Sequence, residues 1–114
     1  VSRFMVINMP KQDEETVTLI LKTYFPEIKE NALKQFVGLF MDLQLKAEHS
    51  EISTKSVDIR GMIGALKTIQ TGLRPTSAVN MGITNKSFDI FEREIVEDIV
   101  MTRIPEDWMR SDVF

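Results

Sequence analysis

Apolar residues recur along this chain with a helical period. Val17, Ile20, Leu21 and Tyr24 stand at i, i+3, i+4 and i+7, one face of a helix. Asp13, Glu14 and Glu15 put negative charge on its first turn, where the helix dipole favours it, and Pro26 stops it. A second helix is predicted from Glu30 to about Ala47, with Leu33, Phe36, Val37, Phe40 and Leu43 as its stripe. Leu39 and Met41 widen that stripe, which predicts a central helix covered on more than one side. His49 to Ser56 is polar and reads as a loop.

A third helix is predicted from the N-cap Asp58, with Ile59, Met62, Ile63, Leu66 and Ile69 buried. Gly72 stands where a left-handed C-cap belongs. Pro75 suits the first position of a short fourth helix, which Gly82 ends. Asp89 and Glu92 have capping-box spacing for a fifth helix that runs to about Arg103. Its inner side is predicted as Phe91, Ile95, Val96, Ile99 and Val100. After Pro105 the tail is polar apart from Trp108, Val113 and Phe114, so residues 105–114 are expected to be loose.

The N-terminus breaks the pattern. Phe4-Met5-Val6-Ile7 is a continuous apolar run closed by Pro10, the mark of a buried strand, yet nothing else in the chain offers a partner strand. It reads either as the last strand of a sheet in a missing domain or as an arm lying on the helices. The expected fold class is therefore all-α: a small bundle of about five helices with a short unpaired strand-like segment at the start. The expected division is residues 1–10 as the end of a preceding core, 11–104 as the helical domain, and 105–114 as the tail.

Composition narrows the function. The chain has 114 residues, enough for one domain, with 14 basic and 17 acidic side chains. A net charge of -3 argues against nucleic acid as the main partner, because phosphate binders show a basic excess. The absence of cysteine excludes disulfides, thiolate zinc sites and a cysteine nucleophile, and is compatible with a cytoplasmic setting. No apolar run approaches the ~20 residues of a membrane span, and no signal pattern opens the chain. The start at Val1 fits an excised piece of a larger protein.

Candidate chemistry is sparse. His49, beside Glu48 and Glu51, lacks the converging partners of a metal site. No spacing singles out a catalytic carboxylate pair, and no P-loop, dinucleotide or nucleophile-elbow motif occurs. The seven methionines and seven phenylalanines fall mostly at core-facing positions. Gly61 and Gly64 suggest close backbone packing inside the third helix. Arg60 stands out, because a first helical turn disfavours a cation. The same place suits a bound anion, with free N–H groups and an arginine aimed together. The competing reading is a surface arginine paired with Asp58.

Several short motifs then come together: Asp58-Ile59-Arg60, Thr71-Gly72-Leu73, Arg74-Pro75 with Ala78-Val79, and the opening SRFMVINMPKQDEE. On these the chain resembles the C-terminal helical lid of MoxR-type AAA+ ATPases, including the NorQ/CbbQ-like and gas-vesicle-N-like branches. The resemblance implies a sensor-2 arginine at Arg60, reaching the γ-phosphate of ATP held by a core domain. Lys55 is a competing phosphate-sensing cation, because the spacing from Ile52 to Arg60 is longer than in NorQ-like relatives. Arg3 falls near the trans-acting arginine region of the core. Arg74 departs from the family, which places Asp there.

The resemblance further implies ATP and Mg in an intact parent, no cofactor in this fragment, and no activity of the fragment alone. The implied partners are the missing core, neighbouring subunits of a ring and a client protein to be remodelled or matured. Neither nucleic acid nor a membrane span is expected. The alternative is a free-standing helical module that binds a partner helix or peptide.

Overall fold

A computed structural model of the chain describes residues 13–52, 59–83 and 89–114. The described residues form six helices and no strand: α1 (Glu14–Tyr24), α2 (Glu30–Glu48), α3 (Ile59–Gln70), α4 (Pro75–Gly82), α5 (Ile90–Arg103) and α6 (Arg110–Val113). The expected all-α bundle is what the structure shows. The apolar run Phe4–Ile7, the cations Arg3 and Lys55 and the cap Asp58 lie outside the described residues.

Several helix ends have a local cause. Asp13 caps α1, its carboxylate accepting from the Thr16 amide at 2.7 Å. Hydrogen bonds from the Thr16 side chain and then its amide hold that carboxyl below the usual carboxylate range. Asp89 caps α5 by accepting from the Phe91 amide at 2.8 Å. Pro75 opens α4, where its missing N–H costs nothing.

The C-termini of α2 and α3 share one geometry. At α3, Gly72 takes φ +117°, its amide donates to Ile69 O at 2.9 Å and the Leu73 amide donates to Thr68 O at 3.4 Å. At α2, Ser50 takes φ +62°, its amide donates to Ala47 O at 3.0 Å and the Glu51 amide donates to Lys46 O at 2.9 Å. Both are Schellman closures, which satisfy carbonyls that would otherwise lack donors. Only the first is announced by a glycine.

α2 is central, as its wide apolar stripe predicts. It packs on α1, on α5 and on α6, while α3 packs on α4. Leu33, Phe36, Val37, Leu39, Phe40 and Leu43 are all buried, and they join Val17 and Leu21 of α1 and Val96 and Val100 of α5 in one core. Met62, Leu66 and Ile69 of α3 and Ala78 and Val79 of α4 complete it. On the α2–α5 seam Arg103 forks onto Asp42, with Nε–Oδ2 at 2.7 Å and Nη2–Oδ1 at 3.3 Å. That bond raises the Arg103 pKa. The guanidinium lies over Gly38, where a Cβ would come within 2.6 Å of Nη1.

Four sequence expectations need correction. Tyr24 is exposed and Phe25 is buried instead, because α1 ends at Tyr24 and the non-helical backbone of Phe25 turns its ring inward. Phe91 is exposed, since it occupies the first turn of α5 before that helix meets the core. Gly64 faces open space, whereas Gly61 is the buried glycine of α3.

The tail, expected to be loose, is packed. The Lys29 amide donates to Val113 O at 2.8 Å, Lys29 Nζ bonds Ser111 O, and Arg110 Nε donates to Gln70 O at 2.8 Å. Val113 is fully buried, and Phe114 meets Phe25 edge-on with ring centroids 5.8 Å apart. Three apolar residues show no periodicity over so short a stretch, yet two of them suffice to anchor a single turn.

Candidate functional site

The site begins with the register of α3. Gly61 and Met62 are buried and Ile59 is half-buried, so the 100° step of the helix leaves Arg60 facing outward. α4 returns alongside so that its last residue, Gly82, lies against the first turn of α3. A Cβ at Gly82 would stand 2.9 Å from the Gly61 carbonyl oxygen and 3.3 Å from the Ala65 Cβ. The start of α3 is thus held by backbone on its inner side and presents Arg60 on its outer side.

Arg60 continues into a face. Gly64, Lys67 and Thr71 follow at helical spacing and are all exposed. No carboxylate occurs anywhere between Ile59 and Ile83, while Arg60, Lys67 and Arg74 do. The flanking described segments have the opposite balance. Residues 13–52 carry eight acidic and four basic side chains, and residues 89–114 carry eight and three. Among the described residues the α3–α4 hairpin is therefore the positively charged segment. Sequence reasoning singled out Arg60 and missed Lys67; the signal available was the 25-residue stretch without an acid.

Other candidates resolve into structural roles. His49 sits exposed at the end of α2, its amide bound to Leu45 O at 3.1 Å, and Glu51 pairs with Lys46 at 3.4 Å. Among the described residues no group of three or more His, Asp or Glu is placed to hold a metal ion. Arg74 occupies the N-cap of α4 and makes no side-chain capping bond. Arg3 and Lys55 fall outside the described residues. An open hollow of about 890 Å³ is lined by Asp13, Glu15, Leu19, Lys22, Glu30 and Leu33 among others, on the acidic α1–α2 side.

In chemical terms the α3 face can hold or attract negative charge. Among the described residues it carries no cluster of metal-ligating side chains. No helix of the described residues is long and apolar enough to cross a membrane.

No protein-family profile matches the chain, and no solved structure matches it. Over 101 residues, 89% of its length, it is 26% identical to the uncharacterized protein YojN of Bacillus subtilis (strain 168). The aligned part is 33% of that protein, so the chain spans about a third of the length of the curated relative it matches.

Proposed function

We propose that this chain is the helical lid of a MoxR-type AAA+ ATPase and that Arg60 is its phosphate-sensing residue. The observation that carries the reading is the placement of Arg60. It is exposed on the first turn of α3, on the outer side of a helix start whose inner side is fixed by the Gly61–Gly82 approach. An arginine on the first turn of a helix makes charge-assisted contacts to a phosphate, and the stretch Ile59–Ile83, which holds no carboxylate, adds to the attraction. The similarity to one third of a longer protein supports a role as one module of a larger chain.

In this reading ATP lies between the lid and an ATPase core. Arg60 fits one phosphate contact and no more. The described residues fit no metal ion, so the Mg that accompanies ATP would be held by core residues. Loss of the terminal phosphate on hydrolysis removes the partner of Arg60 and frees the lid to move against the core, which is how hydrolysis would drive remodelling of a client within a ring.

The test is Arg60→Ala in the full-length parent. A charge-assisted hydrogen bond contributes about 1.5–3 kcal/mol, so the ATPase rate should fall roughly 10- to 100-fold with the fold intact. An unchanged rate and unchanged ATP affinity would sink the assignment.

A further inference from the structure

α5 buries one side and exposes the other. Val96, Ile99 and Val100 are in the core, while Phe91, Glu94, Glu97, Asp98 and Met101 are exposed. At 100° per residue those five positions share one face of the helix. Phe91 and Met101 stand at its two ends, 73% and 64% exposed and about 15 Å apart at 1.5 Å per residue. The three carboxylates lie between them, and among the described residues none of the three pairs with a cation. The nearby cations are already used, Arg103 by Asp42 and Lys46 by Glu51. Among the described residues no three carboxylates converge to hold a metal ion, so the charge is spread along the face. Beside Asp98 a groove of about 210 Å³ opens between α5 and α2, with Ile99 and Leu45 in its lining. Leu45 is itself 51% exposed. The Thr102 hydroxyl in the same lining is donated to Asp98 O at 2.8 Å, so what the groove offers a ligand is mainly apolar surface. Pockets for small molecules measure roughly 300–1,000 Å³, so a groove of this size seats a side chain and not a cofactor.

We infer that this face docks a cationic amphipathic helix of a partner protein. The apolar residues of that helix cover Phe91 and Met101 and enter the groove beside Leu45, and its lysines or arginines meet Glu94, Glu97 and Asp98. Two helices lying side by side rise in step, so the partner's apolar residues repeat the ten-position spacing from Phe91 to Met101, with cations between. An anionic partner, such as a nucleic acid or an acidic membrane surface, meets like charge here and is disfavoured. Charge complementarity sets register and partner choice, and the apolar contacts supply most of the affinity. The proposal stands apart from the nucleotide reading, because no residue of α3 takes part in it.

The probe is a synthetic helical peptide with leucines ten positions apart and lysines on the same face between them, titrated into the isotopically labelled chain. At about 20 mM salt, where charges are weakly screened, amide shifts should move along α5 and at Leu45 and Lys46 and stay in place on α1 and α3. Leu45→Ser should weaken binding about tenfold through lost apolar burial. Asp98→Lys should weaken it about fivefold, and that difference should vanish near 500 mM salt, where the screening length has dropped to roughly 4 Å. Circular dichroism should stay unchanged in both variants, the positions being exposed. Glu15→Lys, on the acidic α1 side, should have a smaller effect than Asp98→Lys. The absence of any shift along α5 up to about 1 mM peptide overturns the inference. So does equal binding of a peptide with serines in place of the leucines, or a loss at Glu15→Lys as large as at Asp98→Lys, since either reduces the contact to diffuse charge. Concentration-dependent shifts of the same amides without peptide also overturn it, because a second copy of the chain is then the occupant.

Discussion

Between α1 and α2 the contact is made by large side chains; between α3 and α4 it is made by backbone and small residues. The first hairpin buries Val17, Leu21, Phe36, Val37 and Phe40. The second brings Gly82 against the Gly61 carbonyl and the Ala65 methyl, with Pro75, Ala78 and Val79 buried along α4. Volume stabilises one hairpin and closeness stabilises the other. They should therefore fail under opposite substitutions.

The largest expected effect is on the first hairpin. Phe36 is fully buried at the centre of α2, and Phe36→Ala should cost about 3–5 kcal/mol, a large share of the roughly 5–15 kcal/mol that holds a domain folded. The denaturation midpoint in urea reads it, and a loss below ~1 kcal/mol would mean that α2 is not the centre of the core. The second hairpin should respond to a single added methyl. Gly82→Ala forces backbone apart at the Gly61 carbonyl and should cost about 1–3 kcal/mol. Gly64→Ala, three residues after Gly61 on the open side of α3, should instead raise stability by up to ~1 kcal/mol through helix propensity. Equal effects at the two glycines would break the comparison.

The smallest effect sharpens it at the helix ends. Gly72 and Ser50 close α3 and α2 in the same left-handed geometry, but a serine Cβ is strained there and a glycine is not. Ser50→Gly should raise the melting temperature by a few degrees, corresponding to up to ~1 kcal/mol. A fall would show that something other than backbone strain governs that turn.

Both closures illustrate what can be read from the chain. A glycine after an apolar helix signals a Schellman end, and the signal at Gly72 was sufficient. Ser50 carries no such mark, because the conformation there is imposed by the two hydrogen bonds that the Ser50 and Glu51 amides make to Ala47 and Lys46. The same limit applies to the site. Arg60 is legible as an anomalous cation on a first turn, and its exposure follows from the apolar register of its neighbours. Which glycine of α3 meets another helix is not legible. Gly61 and Gly64 look alike in sequence, and only the return of α4 makes one of them a contact and leaves the other open.

The amino-acid sequence by itself determined helices α1 to α5, since apolar period, the acids Asp13 and Asp89 at helix starts, Pro26 and Pro75 act within a few residues of where they stand. It also determined the charge partition, because the absence of carboxylates from Ile59 to Ile83 needs no structure to be seen. The tertiary structure alone decided which side of each helix end is buried. It turned Phe25 inward in place of Tyr24, left Phe91 outside, and fastened the tail through Lys29, Arg110 and Phe114. Those contacts join residues about forty to ninety positions apart, and the free energy of such a contact depends on a partner that no local pattern names.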